Sequence, residues 1–144
     1  MPPSRHCNGK FAVLDHTADT GLCLTGTTHA ALLQAAADGF VAIVFGRRRL
    51  KRGTPRTVEL REGSFEELLV ELLRTLHLML DVDRRRVDRV EVEQADELSC
   101  RAVIYSEPLA DAGEVHTLLK AITYHDLRLT GNEGDYTITV VLDV

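Results

Sequence analysis

The sequence predicts an α+β fold, a single two-layer domain in which two helices pack on a largely antiparallel sheet. Two segments carry apolar residues at helical spacing, and each is apolar on one side only. The remaining apolar residues form short, often β-branched runs separated by turn residues. The chain has 144 residues, which fits one domain. We predict a flexible N-terminal segment at residues 1–10 and the domain at residues 11–144.

The first elements are predicted to be two strands and a helix. The strands, Phe11–Asp15 and Thr20–Gly26, flank a polar run. Thr28 is a typical helix N-cap, and Gly46 suits the left-handed position that ends a helix. The apolar stripe between them consists of Leu33, Ala36, Ala37, Phe40 and Val44.

A basic segment, Arg47–Arg56, follows the first helix and is predicted to be a loop leading into a strand at Thr57–Leu60. Ser64 and Glu67 have the spacing of a capping box and predict the start of the second helix. Its apolar stripe, which we assign to the core, consists of Leu68, Leu69, Leu72, Leu73, Leu76, Met79 and Leu80.

The rest of the chain is predicted to be strands. Apolar runs rich in β-branched residues alternate there with turn-like sequences. The predicted strands are Val87–Val92, Leu98–Tyr105, Lys120–Thr130 and Tyr136–Val144, with a turn at Gln94–Asp96 and a hairpin loop at Gly131–Asp135.

The composition excludes several classes of function. The net charge of -5 argues against a protein whose whole surface binds a phosphate backbone. The absence of tryptophan leaves few aromatic side chains on which bases could stack. Cys7, Cys23 and Cys100 form no CxxC pair, which argues against a zinc site or a disulfide framework and fits a reducing compartment. No segment approaches the roughly 18 apolar residues of a membrane span. We therefore expect a cytoplasmic protein with no membrane partner.

No catalytic centre is recognisable. The sequence has no nucleophilic Ser or Cys in a known context, no glycine-rich phosphate loop and no nucleotide motif, so we predict that the protein is not an enzyme. The basic runs Arg47–Arg56 and Arg84–Arg86 are interpreted as solvated charge rather than as an RNA-binding surface.

Three short motifs, taken together and in this order, resemble the archease family over nearly the whole chain. The first is Asp-His-Thr-Ala-Asp, followed by a glycine before the first helix. The second is Lys-Ala-Ile-Thr-Tyr-His, with a histidine and a glutamate upstream, and the third is the final Leu-Asp-Val. The residues concerned are Asp15–Asp19, Gly26, Glu107, His116, Lys120–His125 and Leu142–Val144.

The resemblance implies a partner and a cofactor. Archeases activate the GTP-dependent RNA ligase of tRNA splicing and RNA repair, promoting guanylylation of the ligase and multiple turnover. The resemblance therefore implies that this protein contacts RNA only indirectly, through the ligase. The family also binds a divalent cation, usually calcium, and by the motif match the ligands here are Asp19, Asp143 and Val144.

The chemistry of these residues fits that implication. Two aspartates and a terminal carboxylate held at one corner would repel one another without a cation, and an all-oxygen donor set favours calcium or magnesium over zinc. The alternative is that Asp19 caps a turn and Asp143 is simply solvated. Residues predicted to meet the partner or support the ligands are Asp15, His16, Lys120 and His125, with weaker candidates at Glu107 and His116.

Two other functions remain open at this point. A chaperone-like module for nucleic-acid-modifying enzymes would need an exposed apolar surface and no metal. A metal-dependent phosphoester hydrolase would use His16, Asp19 and His125, and it would turn over substrate without any partner.

Overall fold

The structure is a computed structural model that describes residues 9–15, 19–46 and 53–144, with the side chains of Asp15 and Asp19 excepted. Within these ranges the chain forms eight strands and two α-helices. The strands are β1 (Lys10–Asp15), β2 (Asp19–Gly26), β3 (Thr54–Arg61), β4 (Arg85–Ala95), β5 (Ser99–Pro108), β6 (Ala121–Thr123), β7 (Thr130–Asn132) and β8 (Asp135–Asp143). The helices are α1 (His29–Phe45) and α2 (Phe65–Asp81), with a short 3-10 helix at Ala112–Glu114.

The strands form two antiparallel sheets. The first has the order β1-β2-β8-β6, with β7 also paired to β8, and the second has the order β3-β5-β4. The predicted α+β class with antiparallel pairing is confirmed. The division into two sheets is a refinement, because local sequence patterns do not indicate which strands pair.

Helix α1 is buried on nearly all sides, which corrects the one-sided interpretation of its sequence. Its predicted cap is confirmed, since the Thr28 Oγ1 accepts a hydrogen bond from the Ala31 N–H at 3.0 Å. All residues from 31 to 37 are buried. Gly39 allows α1 to approach β2 closely, because a Cβ there would lie 2.8 Å from the Leu22 side chain on β2. Small side chains therefore let this helix pack against strands of both sheets.

A buried glutamine on α1 covers an open edge of the second sheet. Strand β4 lies at the edge of that sheet and has unpaired backbone groups on one side. The Gln34 side chain donates to the Val90 carbonyl and accepts from the Val92 N–H, both at 2.8 Å. One amide thus takes the place of a neighbouring strand and joins α1 to β4.

Helix α2 begins as the sequence predicts. The Ser64 Oγ accepts from the Glu67 N–H at 3.2 Å and donates to the Glu67 carboxylate at 3.1 Å. Every residue of the predicted leucine stripe is buried in the core. No helix in the described ranges is long and apolar enough to cross a bilayer.

Two sequence predictions are wrong in detail. The predicted strand at residues 120–130 is interrupted after β6, because the Leu127 N–H donates to the Tyr124 carbonyl at 3.1 Å and Asp126 has a φ of 52°. Thr54, Pro55 and Arg56 belong to β3 rather than to a basic loop. The remainder of that loop, residues 47–52, lies outside the described part of the chain.

Candidate metal centre and partner surface

The register of the first sheet brings the two predicted aspartate ligands to the same level. Asp143 ends the central strand β8, where it lies opposite Asp19 of β2 on one side and Ala121 of β6 on the other. Opposed residues of antiparallel strands share one face of the sheet and have Cβ atoms about 4.5–5.5 Å apart. Leu142 is buried and Asp143 is half-buried, so Asp143 faces away from the core.

The structure describes the other two predicted ligands, Val144 and Asp19, less completely. Val144 follows directly and is half-buried against the core. Among the described side chains there is no group of three or more His, Cys, Asp or Glu residues arranged to hold a metal, but the Asp19 side chain is outside that set. The donor chemistry fits a hard cation, because two aspartate positions are in register and carboxylate oxygens are ligands that such cations prefer.

Backbone contacts fix the segment that precedes β6. The Lys120 N–H donates to the Asp143 carbonyl at 2.8 Å, which ties the Lys120 backbone to the end of β8. One residue earlier, the Leu119 carbonyl lies 2.9 Å from the Nε2 of His77 on α2. Leu119 itself is buried, and His77 holds its carbonyl on the core side of the segment. The Lys120 side chain is exposed.

Replacing His77 by leucine is expected to lower the free energy of unfolding by about 1–3 kcal/mol, because the Leu119 carbonyl loses its donor. Urea unfolding measures the loss. His125→Leu is the matched control, since this histidine is 72% exposed and surface changes stay within about 0.5 kcal/mol. Equal stability of the two variants would contradict the anchoring role of His77.

The predicted partner residues after β6 form an exposed surface. The His125 Nε2 lies 3.2 Å from the Asp126 carboxylate, and both side chains are largely solvent-exposed. The His125 N–H donates to Thr123 Oγ1 at 3.3 Å, and Tyr124 is 52% exposed. The described contacts of His125 are with Thr123 and Asp126 and not with Asp143, so the structure does not place His125 among the aspartate positions. Asp15 pairs through its backbone with Thr20, and His16 lies outside the described residues.

A second polar centre, which the sequence did not reveal, lies around Arg86. Its guanidinium donates to Asp88 at 2.6 Å, to Glu114 at 2.6 Å and to Glu107 at 3.1 Å. Arg86 is 7% exposed and Asp88 is fully buried. The hydrogen bond with Asp88 is the main reason that the pKa of Arg86 rises above its ordinary range. The interpretation of this arginine run as solvated charge is therefore wrong for Arg86.

The weaker candidates Glu107 and His116 have contacts at this centre and at the end of α1. Glu107 accepts from Arg86, and the His116 N–H donates to the Val44 carbonyl at 2.7 Å. A Cβ on Gly46, whose φ is 87°, would lie 2.7 Å from the His116 ring. These contacts support a structural role for both residues.

Stability is expected to fall in acid partly because of Glu114. The backbone N–H of Ala110, 2.7 Å from its carboxylate, is the first cause that lowers the pKa of Glu114 below its ordinary 4.5, with Arg86 adding to it. A lowered folded pKa contributes stability that is present above pH 4.5 and is lost as the pH falls through the folded value. Urea unfolding between pH 7 and 3 measures this, and Glu114→Gln should flatten the loss below pH 4.5. Glu133→Gln, in an exposed turn, controls for the substitution, and an unchanged profile for Glu114→Gln would refute the assignment.

Comparison with known proteins adds an independent finding. The model of the archease protein family matches residues 11–144. Proteins named archease are similar to the chain, with 28% identity in Methanosarcina mazei (94% of this chain, 96% of the relative) and 30% in Thermococcus gammatolerans (80% and 84%). The solution structure of Methanobacterium thermoautotrophicum protein 1598 shares the fold with a TM-score of 0.65 and 19% identity, covering 94% of this chain and 98% of that one. A Thermotoga maritima crystal structure described as an archease, possible chaperone, has a TM-score of 0.60 and 18% identity, covering 91% and 94%.

Proposed function

The chain belongs to the archease family, and from this premise we propose that it is a non-catalytic, metal-binding activator of the GTP-dependent RNA ligase of tRNA splicing and RNA repair. The observation that carries the proposal is the register of Asp19 with Asp143 at the end of the first sheet. Asp19, Asp143 and Val144 hold the divalent cation in this proposal, and calcium, the ion that the family resemblance implies, is one of the hard cations that an all-oxygen donor set favours.

The exposed segment after Leu119 is the proposed contact with the ligase. The Lys120 backbone is tied to Asp143, so a partner that reaches the Lys120 side chain is brought close to the cation site. His125, two residues beyond β6, extends the same surface. Asp15 and His16, next to Asp19 in sequence, complete the proposed contact. The ion, when bound, supplies positive charge for arranging the nucleotide and its phosphates during guanylylation.

Multiple-turnover ligation tests this function. RNA ends bearing 2′,3′-cyclic phosphate and 5′-hydroxyl are supplied in large excess over the cognate ligase, with GTP and with or without this protein. We expect many turnovers only when the protein is present, together with faster guanylylation of the ligase. An unchanged rate would refute activation, and hydrolysis of a phosphoester by the protein alone would refute the non-catalytic role. The proposed setting is the cytoplasm.

A chaperone-like role is the second candidate, because β1 exposes apolar side chains. Phe11, Val13 and Leu14 are between 37% and 45% exposed on an edge strand. Exposed apolar edges of this kind pair with other chains. Suppression of aggregation of unrelated proteins would support this function, and loss of that effect in Val13→Lys would assign it to β1. Without any suppression the chaperone-like role is refuted.

A further inference from the structure

A small pocket lies between the edges of the two sheets, on the side of α1. Its volume is about 280 Å³. Strand β1 contributes one wall, α1 contributes the base and β4 contributes the opposite wall. The lining residues in the described part of the chain are Phe11, Asp38, Val41, Ala42, Asp88 and Arg89.

The pocket exists where β4 bulges. The pairing of β4 with β5 shifts between Val87 and Arg89, so Asp88 is an extra residue without a partner across the sheet. A bulge of this kind re-aims a side chain. Asp88 lines the pocket and is fully buried, which places it at the inner end.

The Asp88 carboxylate is only half satisfied. Its Oδ1 accepts a hydrogen bond from the Arg86 guanidinium at 2.6 Å. Its Oδ2 is buried and has no hydrogen-bond partner in the part of the chain that the structure describes. A buried carboxylate oxygen that lacks a donor is costly, so this atom favours a ligand that donates a hydrogen bond and carries positive charge.

The other lining groups define the shape of that ligand. Val41 and Ala42 on α1 and the Phe11 ring on β1 are apolar. Arg89 is paired with Glu91 on its own strand, and the Asp38 carboxylate, which accepts from Gln34 at 3.0 Å, lies at the exposed end. An apolar passage with a carboxylate at each end fits a hydrocarbon stem that bears a cationic head.

We propose that this pocket binds an alkyl cation, the ammonium or guanidinium group of a lysine or arginine side chain or of a free alkylamine. The volume of about 280 Å³ lies near the lower end of the roughly 300–1,000 Å³ of pockets for drug-sized ligands, which favours a small ligand. A divalent ion favours a site rich in oxygen ligands, whereas three of the six described lining residues are apolar. The proposal is independent of the cation site at Asp143 and of ligase activation.

Titration of the ¹⁵N-labelled protein with n-butylammonium chloride, followed by amide chemical shifts, tests the proposal. We expect saturable shifts centred on Phe11, Val41 and Asp88. Titration with n-butanol controls for the hydrocarbon stem, and sodium chloride controls for ionic strength. Equal shifts with butanol, the same shifts with sodium chloride, or no saturable shift with any of the three would overturn the proposal.

Variants locate the binding. Ala42→Leu fills the pocket from α1 without touching the Arg86 centre, and it should weaken binding at least tenfold. Asp88→Asn should weaken it similarly, and Asp38→Asn less. Asp88→Asn removes a buried charge that pairs with Arg86, so Ala42→Leu decides the outcome if that variant does not fold. Wild-type affinity in Ala42→Leu would overturn the proposal, as would a crystal grown with butylammonium that shows only a water molecule at the Asp88 Oδ2.

The source of the cation follows from a comparison of probes. Tighter binding of N-acetyl-lysine-methylamide than of butylammonium would assign the pocket to a side chain of a partner protein. The reverse order would assign it to a free amine. Either order supports an alkyl-cation pocket, because both probes present the same head and stem.

Discussion

Replacing Arg86 by methionine is expected to lower the free energy of unfolding by about 3–5 kcal/mol, the range found when one member of a buried ion pair is removed. Methionine keeps the aliphatic volume but leaves the fully buried Asp88 carboxylate without the guanidinium that lies 2.6 Å away. It also removes the donors to Glu107 and Glu114, which join β5 and the short 3-10 helix to β4. Urea unfolding followed by circular dichroism measures the change.

Two comparisons separate the buried charge from the loss of an arginine. Arg74→Met removes an exposed arginine that pairs with Glu71 at 3.5 Å, and it should cost less than about 1 kcal/mol. Adding Asp88→Asn to Arg86→Met should recover part of the loss, because no uncompensated charge then stays buried. A single Arg86→Met variant as stable as Arg74→Met would contradict the buried ion cluster.

Local signals predicted the helices well. The caps at Thr28 and Ser64 and the glycine at position 46 act within one turn of chain, so their residue types determine where α1 and α2 begin and where α1 ends. The environment of α1 was not predictable in the same way, because burial on a second side depends on which strands surround it. The division into two sheets and the interruption after β6 also depend on pairing between residues far apart in sequence.

The two polar centres differ in how much of each could be predicted from the sequence. Motif resemblance pointed to Asp143, and the backbone register places it opposite Asp19, while the ligand set itself stays a prediction. Arg86 and Asp88 were missed because charged runs are usually solvated. The spacing of the valines in the sequence nevertheless indicated a bulge. An unbroken strand would place Val87 and Val90 on opposite faces, yet Val87, Val90 and Val92 are all buried. The extra residue between them is the bulge that turns Asp88 inward.

Asp143→Asn is expected to abolish both calcium-dependent stabilisation and ligase activation, on the premise of the proposed function. Removing even an outer partner of a metal ligand costs about 10–100-fold in affinity, so loss of a ligand charge should exceed about 100-fold. At a calcium concentration of 100 Kd, the wild-type protein gains about 2.7 kcal/mol of stability, whereas a 100-fold weaker variant gains only about 0.4 kcal/mol. Thermal unfolding with and without calcium measures the difference, and multiple-turnover ligation gives the functional result.

Behaviour without calcium distinguishes a lost ligand from a damaged fold. In a chelator the charges at the positions of Asp19 and Asp143 repel each other, so Asp143→Asn should be as stable as wild type or slightly more stable. Asp135→Asn is the matched control, since it makes the same change on the same strand at an exposed residue eight positions away. It should retain the calcium shift and full activation. If Asp143→Asn keeps the calcium shift, the cation does not bind at Asp143; if it loses the shift but still activates the ligase, the cation has no part in activation.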